Sequence, residues 1–186
     1  TVNVSKLIFS SSAATYGEPE VLPILESASN KPTNAYGATK LAVDAMITDE
    51  ARGHGLSAAS LRYFNVAGAH KSKRGWLTER HDPETHLIPN VLRSSPSKPV
   101  KIFGSDWPTK DGTCIRDYVH VVDLIDAHIK ALNSLSGAGH EIFNLGAGGG
   151  YSVREVIAAA SQATGSQIPF IDSPRRAGDP AVLIAD

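Results

Sequence analysis

Apolar residues along the chain gather in short runs, separated by longer stretches in which they recur every three or four positions. The runs Leu7 to Ser11, Ala58 to Val66, Val100 to Phe103, Ile115 to His120, Glu141 to Leu145 and Ile168 to Ile171 read as strands, and Val182 to Ala185 reads as another at the far end. Between them the period becomes helical. Leu41, Val43, Met46 and Ile47 follow Asn34, a good N-cap, and the pattern stops near His54 and Gly55, where a glycine can close it. A second helix is predicted from about Val122 to Leu135. A third opens at Ser152, which has Glu155 three residues on, and runs through Val156, Ile157 and Ala160 to Gly165. Strand and helix alternate, which predicts an α/β fold with a mostly parallel sheet. The stretch from Gly68 to Pro89 is rich in charge, His and Gly and lacks periodicity. A connection that long is more often functional than idle.

Composition narrows the class. With 186 residues, 41% of them hydrophobic and 20% charged, the chain can bury a core, so disorder, collagen and coiled coil are set aside. A formal net charge of -1 gives no electrostatic case for nucleic acid or for an anionic membrane surface. No apolar run approaches the ~20 residues that span a bilayer, and no basic, then hydrophobic, leader opens the chain, so a cytoplasmic protein is expected. The single cysteine, Cys114, fits that compartment and is expected in a strand, packed and unreactive. The chain enters strand-like sequence a few residues after Thr1 and stops just after another such run, so a fragment of a larger domain is expected.

Ligands of open parallel sheets bind beyond the carboxyl ends of the strands. That rule selects Ser10-Ser11-Ser12, Asn65 and Gly146-Ala147-Gly148. Tyr36 is the one tyrosine of five with a lysine four residues on, so Tyr36 and Lys40 leave one helical face a turn apart. A phenol near its ordinary pKa of ~10 is a poor base, but a neighbouring ammonium or nicotinamide cation favours the phenolate. With the Ser12 hydroxyl at the end of the preceding strand, the pair could take a proton from a carbinol while a hydride leaves its carbon. Seven histidines are scattered, and the spacing of His81 and His86 does not bring two ligands onto one helical face, so no metal is expected. The run Gly146 to Gly150 lies too late for a phosphate loop and reads as a strand-to-helix turn.

The triplet Ser12, Tyr36, Lys40, together with Leu61-Arg62-Tyr63-Phe64-Asn65, resembles the extended short-chain dehydrogenase/reductase family. Ile102-Phe103-Gly104, the block from Asp111 to Val121, Phe143-Asn144-Leu145-Gly146 and the segment from Pro174 to Pro180 are similar to the nucleotide-sugar 4-epimerases within it. The resemblance implies a partial Rossmann-like parallel sheet with a smaller substrate-binding α/β subdomain. Residues 1–67 and 115–147 would form the first, and 68–114 with 148–186 the second. It implies NAD as cofactor, a UDP-hexose as substrate, and a homodimer in the full-length form. Oxidation at C4, turning of the 4-keto sugar and re-reduction would interconvert UDP-glucose and UDP-galactose. Tyr36 would accept the proton, Lys40 would bind the nicotinamide ribose, and Ser12 would assist at the sugar O4. Ser10, Ser11, Tyr63 and Phe64 would lie along the cofactor. Asn65, Arg116 and Arg176 would hold the diphosphate, Leu87 and Phe103 would pack near uracil, and Asp179 would bind a ribose hydroxyl.

Three alternatives stay open. A nucleotide-sugar 4,6-dehydratase would need an acid and base where this chain has Ala13-Ala14, which disfavours it. A 4-epimerase for UDP-pentoses or N-acetylated sugars differs only in pocket size, with Leu183 at the gating position. A catalytically silent fragment is the third, because no Gly-x-x-Gly-x-x-Gly turn follows a first strand to hold the NAD pyrophosphate. The residues for that grip are expected to precede Thr1.

Overall fold

The computed structural model describes residues 4–186; the start of the chain at Thr1 lies outside the described residues. In chain order the elements are β1 (Lys6–Ser12), a 3-10 turn (Ala13–Thr15), α1 (Ala35–His54), β2 (Ser57–Tyr63), β3 (Asn65–Ala67), β4 (His70–Ser72), β5 (Gly75–Leu77) and α2 (Leu87–Leu92). They continue with β6 (Val100–Phe103), β7 (Ile115–His120), α3 (Val121–Ser134), β8 (Gly139–Leu145), β9 (Gly150–Ser152), α4 (Val153–Thr164), β10 (Phe170–Ser173) and β11 (Val182–Leu183). The expected alternation holds, and the caps fall where the side chains predict. Asn34 accepts from Gly37 N, Ser152 and Glu155 close a reciprocal capping box, and α1 and α4 end on Gly55 and Gly165 in the left-handed region.

The first sheet is parallel, in the order β1-β2-β8. Its register sets Ser12 beside Tyr63 and Tyr63 beside Leu145, so the carboxyl ends of the three strands finish level. The central strand β2 is buried on both faces, and its alternation shows what covers each. Ala59 and Leu61 pack with Ala131 and Leu135 at the end of α3. The other face meets α1. There Ser60 Oγ lies 2.8 Å from His140 Nε2, whose Nδ1 lies 2.8 Å from Thr48 Oγ1, and Arg62 reaches Asp44. Burial lowers the His140 pKa, with Asp44 pulling the other way.

The run read as one strand from Ala58 to Val66 is two. It breaks at Phe64, whose N–H donates to Leu145 O at 3.1 Å, and the chain crosses there into a second sheet. That sheet has the order β11-β7-β3, all parallel, with β9 antiparallel to β7. The expectation that grouped residues 115–147 with the first sheet is therefore corrected for β7, which pairs with β3, β11 and β9. Cys114 sits just before β7 rather than within a strand, buried as expected, and burial raises its thiol pKa.

A third pairing, β6 with β10, packs under α2 and α4 around Val91, Val100, Ile102, Ile157, Ala160 and Ile168. Full burial of such a side chain is worth roughly 1.5–3 kcal/mol. The expected strand at Ile168 begins two residues later, at Phe170, because Ile168 itself is spent on this core. The aperiodic stretch from Gly68 to Pro89 holds the small hairpin β4-β5 and the start of α2, elements too short to show a period. Among the described residues no helix is long and apolar enough to cross a membrane.

Candidate active site

Tyr36 is placed by the close approach of two backbones. The Asn34 cap starts α1 so that Tyr36 stands in its first turn and Lys40 one turn on. A Cβ on Gly37 would lie 2.3 Å from Ala14 O, so only glycine lets the helix start this close to the turn that follows Ser12. Tyr36 is 57% exposed, and Lys40 Nζ stands 5.6 Å from its ring centroid while donating to Ser10 O at 2.8 Å. Ser12 Oγ accepts the Ala14 N–H at 3.1 Å, which leaves its own hydroxyl proton to give to another oxygen. Ser12 and Tyr36 thus border one cavity, and Lys40 stands beside the Tyr36 ring.

A cavity of about 880 Å³ opens over these groups, lined by Ser12, Tyr36, Tyr63, Phe64 and Asn65, with Glu79, His81 and His86 also on its walls. A second, of about 630 Å³, is lined by Leu87, Phe103, Arg116, Arg176 and Asp179. The two share Asn65, Val66 and His86. The proton-handling candidates therefore border the first cavity and the candidates for gripping a nucleotide border the second. In the second, Arg176 Cζ stands over the Phe103 ring, 3.7 Å from its centroid. Arg116 donates through Nη1 to Ile115 O at 2.9 Å and reaches Asp179 only at 4.0 Å, so most of its donors are uncommitted within the protein. Lys98 and Lys101 add positive charge to the same wall. Burial pushes the Tyr118 phenol up to about 12, against the pull of Arg116, so it remains neutral.

Several residues do otherwise than expected. Ser11, assigned to the cofactor, lines the first cavity beside Ser12, but it is 1% exposed and its hydroxyl is committed to Asp44 Oδ2 at 3.1 Å. Its work is to tie β1 to α1. Ser10 Oγ lies 2.6 Å from the Tyr63 hydroxyl, which also meets His128 Nε2 at 2.6 Å; burial raises the Tyr63 pKa, and the bond to Ser10 opposes that. His128 Nδ1 faces Leu124 O at 2.8 Å, so a neutral ring puts its N–H there and accepts at Nε2. Leu183 packs on Ala13, Tyr16 and Ile24 and is not among the residues lining either cavity. His81 and His86, set aside on helical spacing, come together with Glu79 and Glu84 because the segment is a loop. The His86 N–H, its ring and the Thr85 N–H hold Glu84 down at about 2.

Asp117 was not foreseen. Fully buried, it accepts Ala147 N–H at 2.8 Å on Oδ1, and Gly148 N–H at 3.2 Å and Ala185 N–H at 3.1 Å on Oδ2. A Cβ at Gly146 would lie 2.3 Å from Oδ2, so the glycine run makes room for this carboxylate rather than for a phosphate. An acid directly after an arginine within a predicted strand was the available signal. Asp117→Asn presents an amide N–H to at least one of these donors, and hydrogen bonds to charged groups are worth about 2 kcal/mol. A urea midpoint lowered accordingly at unchanged slope checks this; an unmoved midpoint removes Asp117 as the clamp.

The model of the NAD dependent epimerase/dehydratase family matches residues 1–146. The UDP-glucose 4-epimerase of Corynebacterium glutamicum is 55% identical over 184 residues, which are 98% of this chain and 55% of that protein. The UDP-glucose-4-epimerase of Stenotrophomonas maltophila, solved with NAD and formylated UDP-arabinopyranose, superposes with a TM-score of 0.89 at 41% identity, covering 98% of this chain and 55% of that one. The enzyme from Bifidobacterium longum, solved with NAD+ and UDP, gives 0.88 at 40% identity over the same shares. The chain spans about half the length of the relatives it matches.

Proposed function

Because this chain belongs to the NAD dependent epimerase/dehydratase family, we infer that it carries the proton-transfer and nucleotide-holding parts of a C4 epimerase acting on UDP-glucose and UDP-galactose. The observation that carries this reading is the pair of joined cavities, one bordered by Ser12 and Tyr36, the other by Arg116, Arg176 and Asp179. The residues fit the nicotinamide-ribose end of NAD. Lys40 Nζ is fixed beside the exposed phenol, and Tyr63 and Phe64 line the same cavity. The sequence holds no Gly-x-x-Gly-x-x-Gly pattern of the kind that grips a dinucleotide pyrophosphate. Bound NAD supplies a two-electron acceptor and donor at the sugar carbon.

The chain's own groups do the rest. Tyr36 takes the C4 hydroxyl proton and later returns it, with Ser12 donating to the same oxygen and the Lys40 ammonium held beside the ring. Arg116, Arg176 and Asn65 hold the diphosphate, Leu87 and Phe103 flank the uracil, and Asp179 accepts from the ribose. Anchoring at the nucleotide puts binding energy away from the carbon that must turn over. Residues 1–67 with α3 and β8 serve the cofactor side, and β7 joins 68–114 and 148–186 on the nucleotide side; the separate core around Ile102 and Ile157 supports that division. The cytoplasmic location rests on the lone buried Cys114, and the homodimer on the family resemblance, to be checked by sedimentation.

Conversion of UDP-galactose to UDP-glucose and NAD content, measured on this chain and on a form of its relatives' length, test the reading; silence in both removes it. Arg176→Ala removes charge-assisted bonds to the phosphates, each worth about 1.5–3 kcal/mol, so KM is expected to rise roughly 10- to 100-fold with kcat nearly kept. A fall in kcat at constant KM would place Arg176 elsewhere.

A further inference from the structure

Four side chains on the wall between the two cavities have no part in the reaction above. The segment from Glu79 to His86 doubles back through Asp82-Pro83 and sets Glu79, His81, Glu84 and His86 so that one ligand atom from each lies within 4.8 Å of the others. We propose that these four residues bind one divalent transition-metal ion of the zinc class.

The geometry supports a shared point rather than two separate ion pairs. The Nδ1 atoms of His81 and His86 lie 3.0 and 2.9 Å from the same Glu79 Oε1, and 3.8 and 3.0 Å from Glu84 Oε1. Tetrahedral zinc with bonds of about 2.0–2.1 Å spaces its ligand atoms about 3.3 Å apart, within that range. The imidazole rings stand 4.7 Å apart between centroids, tilted by 47°, and both Nδ1 atoms meet the same two carboxylate oxygens. Glu84 gives the second, independent sign. Its side chain is only 6% exposed; Oε1 faces both imidazoles, while Oε2, without a hydrogen-bond partner, is ion-paired with Arg93 Nη1 at 3.6 Å. A buried carboxylate beside that of Glu79 favours positive charge beyond the single guanidinium of Arg93.

The donor set fixes the class. Two imidazoles and two carboxylates suit zinc and its first-row neighbours, whereas magnesium and calcium prefer oxygen alone. Two glutamates also neutralise a dication, which lets the site sit against the protein. Its place suggests a positioning role. His86 is the residue before α2, and Leu87, the first residue of that helix, packs on the Val91 and Ile102 core. An ion here would pin the loop to α2 and so fix the partition between the cavities.

The test is metal binding on the full chain, stripped with chelator and titrated with zinc against a chromophoric indicator. One zinc per chain is expected, undisturbed by millimolar magnesium. His81→Ala and His86→Ala are each expected to weaken it roughly 100-fold or more, and His54→Ala, at the exposed end of α1, to leave it unchanged. If the loop variants misfold by circular dichroism, cobalt on the unaltered chain decides. Intense visible bands of a four-coordinate site uphold the proposal; the faint bands of a six-coordinate aquo ion overturn it. Zinc below one equivalent, or bound as tightly without both histidines, also overturns it and leaves two Glu–His ion pairs as the loop's clip. None of these readouts depends on turnover, so the epimerase reading can fail or stand on its own.

Discussion

Replacing Tyr36 with phenylalanine is expected to lower turnover of UDP-galactose by about 100- to 10,000-fold, the range a positioned general acid or base supplies. The ring and its packing survive the change; only the oxygen that moves the proton is lost. Two geometric facts support so large an effect. Tyr36 is exposed to the cavity rather than buried in a structural bond, and Lys40 Nζ is held 5.6 Å from its ring by the bond to Ser10 O. Substrate binding should hold, because the nucleotide contacts lie in the other cavity, so KM is expected to change little. A loss below tenfold, about 1.4 kcal/mol, would show that another group carries the proton.

Asp44→Ala is the substitution expected to cost most in stability. Asp44 and Arg62 have side chains 4% and 1% exposed, and Arg62 donates from Nε and Nη2 to Asp44 Oδ2 at 3.3 and 3.0 Å. The same oxygen accepts the Ser11 hydroxyl, and the guanidinium lies 4.8 Å from the centroid of the buried Tyr16 ring. Removing the carboxylate leaves a guanidinium deep in the protein with no counter-charge, a loss of about 3–5 kcal/mol. Asp44 Oδ1 and Arg62 Nη1 already lack hydrogen-bond partners. Replacing both residues with leucine should therefore cost much less than the two single changes together. Urea unfolding of the two singles and the double measures this; additive losses would mean the pair is not coupled. The pair also bears on catalysis, since Asp44 is on the helix that presents Tyr36 and is tied to β1 through Ser11.

Much of the site was legible because its parts are close in sequence. The Tyr36 to Lys40 spacing implies one face of a helix whatever the helix packs against, and Asn34 and Gly55 mark its ends by side-chain chemistry alone. The strands at Val100 and Ile115 fall on their predicted residues for the same reason. The assignments of Arg116, Arg176, Asp179, Leu87 and Phe103 came by resemblance, and the cavity that gathers them is compatible with each. Strand alternation separates Ser11 from Ser10 and Ser12 but does not say that its hydroxyl is committed to Asp44. Its neighbours Ser10 and Ser12 turn the other way. His81 and His86 misled because a helical test was applied to a loop, whose folding back no period announces.

What the sequence determined by itself is therefore the local order: strand and helix in alternation, the caps, and a phenol with an ammonium one turn away. Tertiary structure alone decided that β7 joins the second sheet, that Asp117 clamps residues 30, 31 and 68 positions away, and that two cavities meet at Asn65 and His86. The physical reason is range. A helical turn is fixed by backbone geometry within a few residues, whereas a bond across tens of residues depends on how whole elements pair and pack, which no short window of residues specifies.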